Sequence, residues 1–354
     1  MSTQDLALTL VITAASIVLG SVVIHLAWQA VGAWRINRAG PRHLISTHQV
    51  LWRDPGPVET LDMSGGPGGK DFVPAPPFHF LEEHEGGSQP CVSVSDARGR
   101  RWRVKWGDEV RSENFAIRLA WACGYFAETT YFVSEGMIEG AKDLKRAREC
   151  IDDDCRFKEA RFELDDPEVR KLFEEHGWAW NDNPFVGTRE LHGLKILVML
   201  LSNWDTKDRR DVARGSNTAI FEHRLPGGGR EARYLITDWG GSMGRWGSNI
   251  VTRGRWDPAG FEDQTPQFVT SSEENIVKFG YTGQRTEDVA AGITVEDVRW
   301  LCRSLARITD AQLVSALRAS GANEEEATRF NGAIRARIDQ LQRVAAVPQP
   351  AVHG

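Results

Sequence analysis

Positive charge is in short supply. With 43 Lys and Arg against 49 Asp and Glu, the 354-residue chain carries a net charge of -6. It has no basic excess with which to neutralise phosphates, which excludes a general nucleic-acid binder. Cysteine is scarce too. Cys91, Cys123, Cys150, Cys155 and Cys302 make an odd number for a chain of this length, against a disulfide framework and in keeping with a reducing compartment. Cys150 and Cys155, in CIDDDC, have no second Cys/His pair at zinc spacing, so they read as structural or incidental. GGPGGK (65–70) lacks the Ser or Thr that must follow the lysine of a Walker loop, because Lys70 precedes Asp71. No internal repeat is apparent. What remains, 41% hydrophobic and 26% charged, is the composition of an ordinary globular chain with room for one large domain or two modest ones.

One local absence is sharper. From Leu6 to Trp34 there is no Asp, Glu, Lys or Arg, and His25 and Gln29 are the only strongly polar residues. The run exceeds the roughly 20 residues that span a hydrocarbon core. No basic residues precede it, as a cleaved signal would require, and Arg35, Arg38 and Arg42 follow it. The expectation is a transmembrane helix over 6–34 with the N-terminus outside. The rest would be cytoplasmic, as in a single-pass protein of a bacterial inner membrane. His25 lies near one end, where it can reach the interface.

Residues 35–77 are rich in Gly and Pro (DPGPVET, SGGPGGKD, PAPP) and read as a juxtamembrane linker or irregular lead-in loop. From Phe78 the texture changes. FHFLEE, CVSVSD and RRWRVKWG are short strand-like runs separated by HEGGSQP and ARG, as in successive antiparallel hairpins. SENFAIRLAWACG reads as a buried helix, and TTYFVSEGMIEG as a strand. The charged stretch 142–175 is expected to carry one or two amphipathic helices and a strand at RFEL. TRELHGLKILVMLLS is an apolar helix leading into NWDTKDRRDVARGSNTAIFE, and ARYLITDWGG reads as the strand after a PGGG turn. Helix starts are marked by Thr294, by the capping box of Thr309 and Gln312, and by Asn323 before three Glu. Residues 346–354 read as a disordered tail.

In chain order this gives a glycine-containing turn between strands, a lysine at a strand end and a glutamate on the next helix. An Asp-x-Lys loop with a later Asn follows, and then an Asp before glycines. Each has a use in phosphoryl transfer. A turn backbone can approach phosphate oxygens, a lysine can neutralise them, and a helix carboxylate can hold that lysine. A hard cation takes carboxylate and amide oxygens, and a further carboxylate can accept the acceptor hydroxyl's proton.

These segments resemble the protein-kinase-like superfamily, most nearly HipA-type kinases and their phosphoinositide-kinase-like relatives. The likeness is carried by GGSQP (86–90), RWRVKW, SENFAIRLAWACGY, NWDTK and ITDWGG, with Trp239 where the family has Phe. It spans about Phe78 to Gly241. It implies an α+β, two-lobed kinase-like fold, with an antiparallel β N-lobe over 78–175 that includes the charged insertion and a mainly helical C-lobe over 176–345. It further implies that Gly86, Gly87, Ser88, Gln89 and Lys105 bind ATP, that Glu113 pairs with Lys105, that Asp205 is the catalytic base, and that Lys207 stabilises the transferred group. Asn217 and Asp238 would hold Mg2+. Asp205 and Asn217 stand farther apart than in such kinases, with DRRDVARG between them, and Asp208 and Asp211 are alternative ligands.

The expected activity is a membrane-anchored, ATP-dependent kinase acting on a hydroxyl of a protein or, as a lesser candidate, a lipid. Arg209, Arg210 and Arg214 could meet an anionic substrate or lie on a solvated loop. A nucleotide-binding pseudokinase or tethered scaffold is the alternative, and chance motif matches in an unrelated binding protein are a third. Singly, Lys105 could be an exposed strand lysine, Glu113 a helix-start acid and Asp205 a turn former.

Overall fold

The computed structural model describes residues 47–173, 176–205, 217–247, 253–283 and 289–346. Strand β1 (His48–Val50) comes first, followed by an irregular strap and then by β2 (Phe78–His84), β3 (Cys91–Ser95) and β4 (Arg101–Lys105). Helix α1 (Val110–Ala122) leads to β5 (Thr130–Glu139) and β6 (Arg156–Leu164). These five strands close into a barrel in the order β2-β3-β4-β6-β5.

The barrel forms because its strands alternate. In RWRVK, Trp102 and Val104 are fully buried while Arg101 and Arg103 face out. This period-two pattern points one face of a strand into the interior. Val92, Val94, Phe78, Phe157 and Phe162 join them in a core separate from that of the rest of the chain. All neighbours in the barrel are antiparallel except β2 and β5, which pair in parallel through Phe78 and Ile138.

That closure corrects the expected fold. Rather than a two-lobed kinase-like arrangement of an antiparallel β N-lobe and a mainly helical C-lobe, the structure has a closed five-stranded barrel and a second, mixed sheet. The second sheet contains β7 (Val169–Lys171), β8 (Thr218–Arg224) and β9 (Arg230–Ile236) in the order β1-β9-β8-β7, with β1 parallel to β9. The hairpin between β8 and β9 turns through Gly227 and Gly228 at φ of 105° and 92°, a region that glycine enters without a Cβ clash. Six α-helices are found among the described residues: α1, α2 (Arg189–Leu200), α3 (Pro258–Gln264), α4 (Val295–Leu305), α5 (Asp310–Ala319) and α6 (Glu324–Ala345). A small hairpin of β10 (Val269–Glu273) and β11 (Ile276–Phe279) lies between α3 and α4.

The membrane expectation is corrected as well. No helix among the described residues is long and apolar enough to cross a membrane, so the single-pass placement is withdrawn. The segment 6–34 on which it rested lies outside the described residues, as does the tail beyond residue 346.

The charged stretch holds no α-helix among its described residues. Glu83 instead accepts the backbone N–H groups of Lys145, Arg146 and Ala147 and pins a single 3-10 turn. Phe157, Ala160 and Phe162 then join the core of the barrel. The helix starts behave as expected: Thr294, Thr309 and Asn323 each form a complete capping box.

The Gly/Pro-rich strap is packed from residue 47 onward. Leu51, Val58 and Met63 are buried, Trp52 donates to the Cys123 carbonyl at 2.7 Å, and Gln312 of α5 donates to the carbonyls of Val58 and Leu61. Glycine and proline there mark irregular backbone, which hydrophobic anchors can still fix in place.

Candidate functional site

Lys105 ends β4, and directly opposite it on β6 stands Arg161, with Arg103 opposite Glu163 in the same register. Two cations facing each other on one sheet repel unless carboxylates intervene, and here two do. Arg161 is 2.7 Å from Glu113 of α1 through one terminal nitrogen and 2.7 Å from Glu163 through the other. Glu163 in turn accepts from Lys105 at 3.0 Å. The result is a chain of charges, Glu113–Arg161–Glu163–Lys105, in place of the expected direct pairing of Lys105 with Glu113. The Glu113 contact is an ion pair without hydrogen-bond alignment, and the Arg161 Nε–H has no hydrogen-bond partner among the described residues.

The electrostatics follow from burial. Desolvation pushes the Glu113 carboxyl up to about 7 against the opposing pull of Arg161, while Asp238 and Glu109 add to the rise. Burial would raise Glu163 too, but Lys105, Arg161 and Arg103 override it and hold it below the carboxylate range. Glu128, beside Glu163, is raised by burial and by that neighbour's charge.

The second half of the site is built on the turn after α2. Asn203 accepts from the Asp205 backbone N–H at 3.1 Å and donates to the Asp238 carbonyl at 3.3 Å, so one side chain ties both segments together. Trp204 N–H donates to the Gly241 carbonyl at 3.2 Å, and Tyr281 O–H donates to the Asn203 carbonyl. Asn217 donates its side-chain amide to the Asp205 carbonyl at 2.8 Å, while Thr237 N–H donates to the Asn217 carbonyl at 2.9 Å. The Oδ1 of Asn217 is buried and has no hydrogen-bond partner among the described residues. The site therefore brings together Asp205, Asn217 and Asp238. Lys207, Asp208 and Asp211, with Arg209, Arg210 and Arg214, lie outside the described residues.

The two halves meet at the start of α1. Ser112 donates to the Gly240 carbonyl at 3.0 Å, and the charges of Asp238 and Lys105 both act on Glu113. Glu109, which the sequence reading passed over, stands here as a third carboxylate. Its pKa is raised by burial and by Asp238 and Asp205, and it is paired with Arg255 at 3.1 Å. Arg253 and Arg255 each stack on the Trp204 ring at 5.0 Å. The signal for Glu109 was slight, an acid one residue before a helix begins.

The glycine turn is held by an arginine of the charged stretch after β5. Arg146 binds the carbonyls of Glu85, Gly86 and Gly87, and Ser88 is exposed. The Gln89 side chain packs on Gly107, two residues beyond Lys105. Lys105 and Glu163 also form part of the wall of a cavity of about 960 Å³ between the barrel and the mixed sheet, together with Glu128, Phe126, Leu235 and Thr237. This volume lies within the range of small-molecule sites.

No group of three or more His, Cys, Asp or Glu among the described residues is arranged to hold a metal ion alone. Asp238 and the unpartnered amide oxygen of Asn217 are nonetheless carboxylate and amide oxygens of the type a hard cation takes. Comparison with protein-family models, with curated proteins and with solved structures returned no match.

Proposed function

We propose that the chain is an ATP-dependent phosphotransferase that moves the γ-phosphate to a hydroxyl, on a protein in the favoured reading and on a lipid otherwise. The observation that carries it is the hydrogen bond from the Asn217 side-chain amide to the Asp205 carbonyl, with Asn203 tying Asp205 to Asp238 and Asn217 Oδ1 buried and without a partner among the described residues. A proton acceptor and two oxygen donors for a hard cation thus come from three neighbouring segments, after α2, before β8 and after β9. Asp205 orients the acceptor hydroxyl and takes its proton as the oxygen attacks the γ-phosphorus. The bond from that phosphorus to the bridging oxygen breaks, and ADP leaves with the electron pair. Lys105, drawn from Glu163, neutralises non-transferred phosphate oxygens. Mg2+, when bound, would supply charge neutralisation across the phosphates, with Asn217 and Asp238 as its protein ligands. Lys207 would add charge at the transferred group.

A nucleotide-binding protein without transfer is the second reading. It is favoured by one observation, that Lys105 is held by Glu163 and not by Glu113. Incubating the full chain with labelled ATP and Mg2+ decides between them. The wild type should incorporate label, and Asp205→Ala and Asp238→Ala should not. Equal incorporation in all three removes those residues from the mechanism, and binding with no transfer selects the second reading.

A further inference from the structure

Three observations converge on a residue to which the phosphotransfer reading gives no role. Arg161 is wholly buried, with 1% of its side chain exposed. It stands between the helix carboxylate Glu113 and the strand carboxylate Glu163, at 2.7 Å from each. And Lys105, directly across the ladder from it, is paired with the second of these carboxylates, at 3.0 Å. Glu113 has two cations within electrostatic range, Arg161 and Lys105, and a buried carboxylate takes the cation that can hold it at the lowest desolvation cost. A guanidinium is more weakly hydrated than an ammonium and can serve two carboxylates at once, so Arg161 outcompetes Lys105 for Glu113.

We infer that Arg161 is a positioning residue that sets the partner of Lys105: by occupying Glu113 it leaves Glu163 as the carboxylate that holds the lysine. Without Arg161, Glu113 would be a buried carboxyl lacking its ion-pair partner, and Lys105 is the other cation whose charge acts on it. The lysine would then answer to Glu113. The functional meaning rests on the reading of Lys105 as the phosphate-binding lysine, because the carboxylate beside it is what ATP must displace. The geometry itself does not depend on that reading.

The test reads Lys105 directly. The full chain is acetylated with a limiting amine-acylating reagent in the absence of nucleotide, and the Lys105 labelling rate is followed by mass spectrometry. In the wild-type background, Glu163→Gln should raise the rate at least about threefold, the scale of losing a partly buried ion pair, and Glu113→Gln should leave it nearly unchanged. In an Arg161→Met background the pattern should reverse, with Glu113→Gln now raising the rate. Arg161→Lys, which cannot bridge two carboxylates in the same way, should behave as Arg161→Met does. Equal sensitivity to Glu113→Gln and Glu163→Gln in the wild-type background overturns the inference, as does persistent indifference to Glu113 once Arg161 is replaced. If neither Arg161 variant folds, guanidinium nitrogen resonances of the wild-type chain decide: hindered rotation with distinct signals supports the bridge, and free rotation ends it. Protection of Lys105 by Mg-ATP is scored separately. Absence of both protection and transfer would defeat the phosphotransferase reading and leave the labelling pattern standing.

Discussion

Asn217 donates its side-chain amide to the backbone carbonyl of Asp205 at 2.8 Å although the two are twelve positions apart. The intervening residues therefore need not separate a base from a metal ligand. Replacing Asn217 by Ala removes one hydrogen bond, on the order of 1 kcal/mol, but also removes an unpartnered buried oxygen, so the loss in stability should be smaller than that. Mg2+-dependent transfer should fall much more, by on the order of a hundredfold. Chemical denaturation and initial rates at several Mg2+ concentrations check this together. A large loss of stability with unchanged Mg2+ dependence would make Asn217 purely structural.

Glu113 gives the site a pH signature. Burial raises its folded-state pKa from the ordinary 4.5 to about 7, so between these values the unfolded chain releases the proton first. The stability contribution is complete below about 4.5 and is lost as pH rises through about 7. Glu109 and Glu128 are shifted in the same direction, whereas Glu163 is shifted the other way. Glu113→Gln should therefore unfold at higher urea than the wild type at pH 8, with the advantage shrinking at pH 5. An advantage that grows toward acid would have the wrong sign.

Much of this was legible in local patterns. RWRVK alternates as a strand half facing a core must, and Thr294, Thr309 and Asn323 sit where helix starts need acceptors. Asp205, Asn217 and Asp238, whose roles come from the family resemblance, lie on segments joined by the hydrogen bonds of Asn203 and Asn217. What escaped is nonlocal. The parallel pairing of Phe78 with Ile138 that closes the barrel leaves no trace in the periodicity of either strand. The period of two places Arg161 and Glu163 on one face of RFKEARFEL, but their alignment with Lys105 and Arg103 depends on a register that only the folded ladder sets. The pairing of Glu113 with Lys105 rests on the family resemblance alone, which carries no strand register.

Arg337 of α6 is the buried brace of the loop that carries Asp205. It donates to the Leu200 carbonyl and the Ser202 hydroxyl at 2.7 Å each and to the Phe261 carbonyl at 2.8 Å, and it stacks on the Phe261 ring at 3.6 Å. Burial pulls its pKa well below the ordinary arginine value. Arg337→Leu would leave those buried acceptors without donors and should destabilise the chain by about 3 kcal/mol or more. Urea unfolding checks the magnitude. A change below about 1 kcal/mol would mean that the acceptors find other donors.

Gly241, three residues after Asp238, packs directly against the Asp205 segment, its carbonyl accepting from the Trp204 backbone N–H. A Cβ placed there would lie 2.9 Å from Asn203 Oδ1, 3.0 Å from Asp205 Cβ and 3.1 Å from the Asp205 nitrogen. The first of these belongs to a side chain that accepts from the Asp205 backbone N–H and donates to the Asp238 carbonyl, so it cannot yield without breaking that tie. Gly241→Ala should consequently displace Asp205 relative to Asp238 while leaving the barrel, which shares no residue with this turn, folded as before. The expected result is a loss of transfer on the order of a hundredfold, the cost of misplacing a reacting group by about 1 Å. Lys105 acetylation and the far-ultraviolet spectrum should stay at wild-type values. If transfer survives Gly241→Ala intact, Asp205 and Asp238 do not act at one centre.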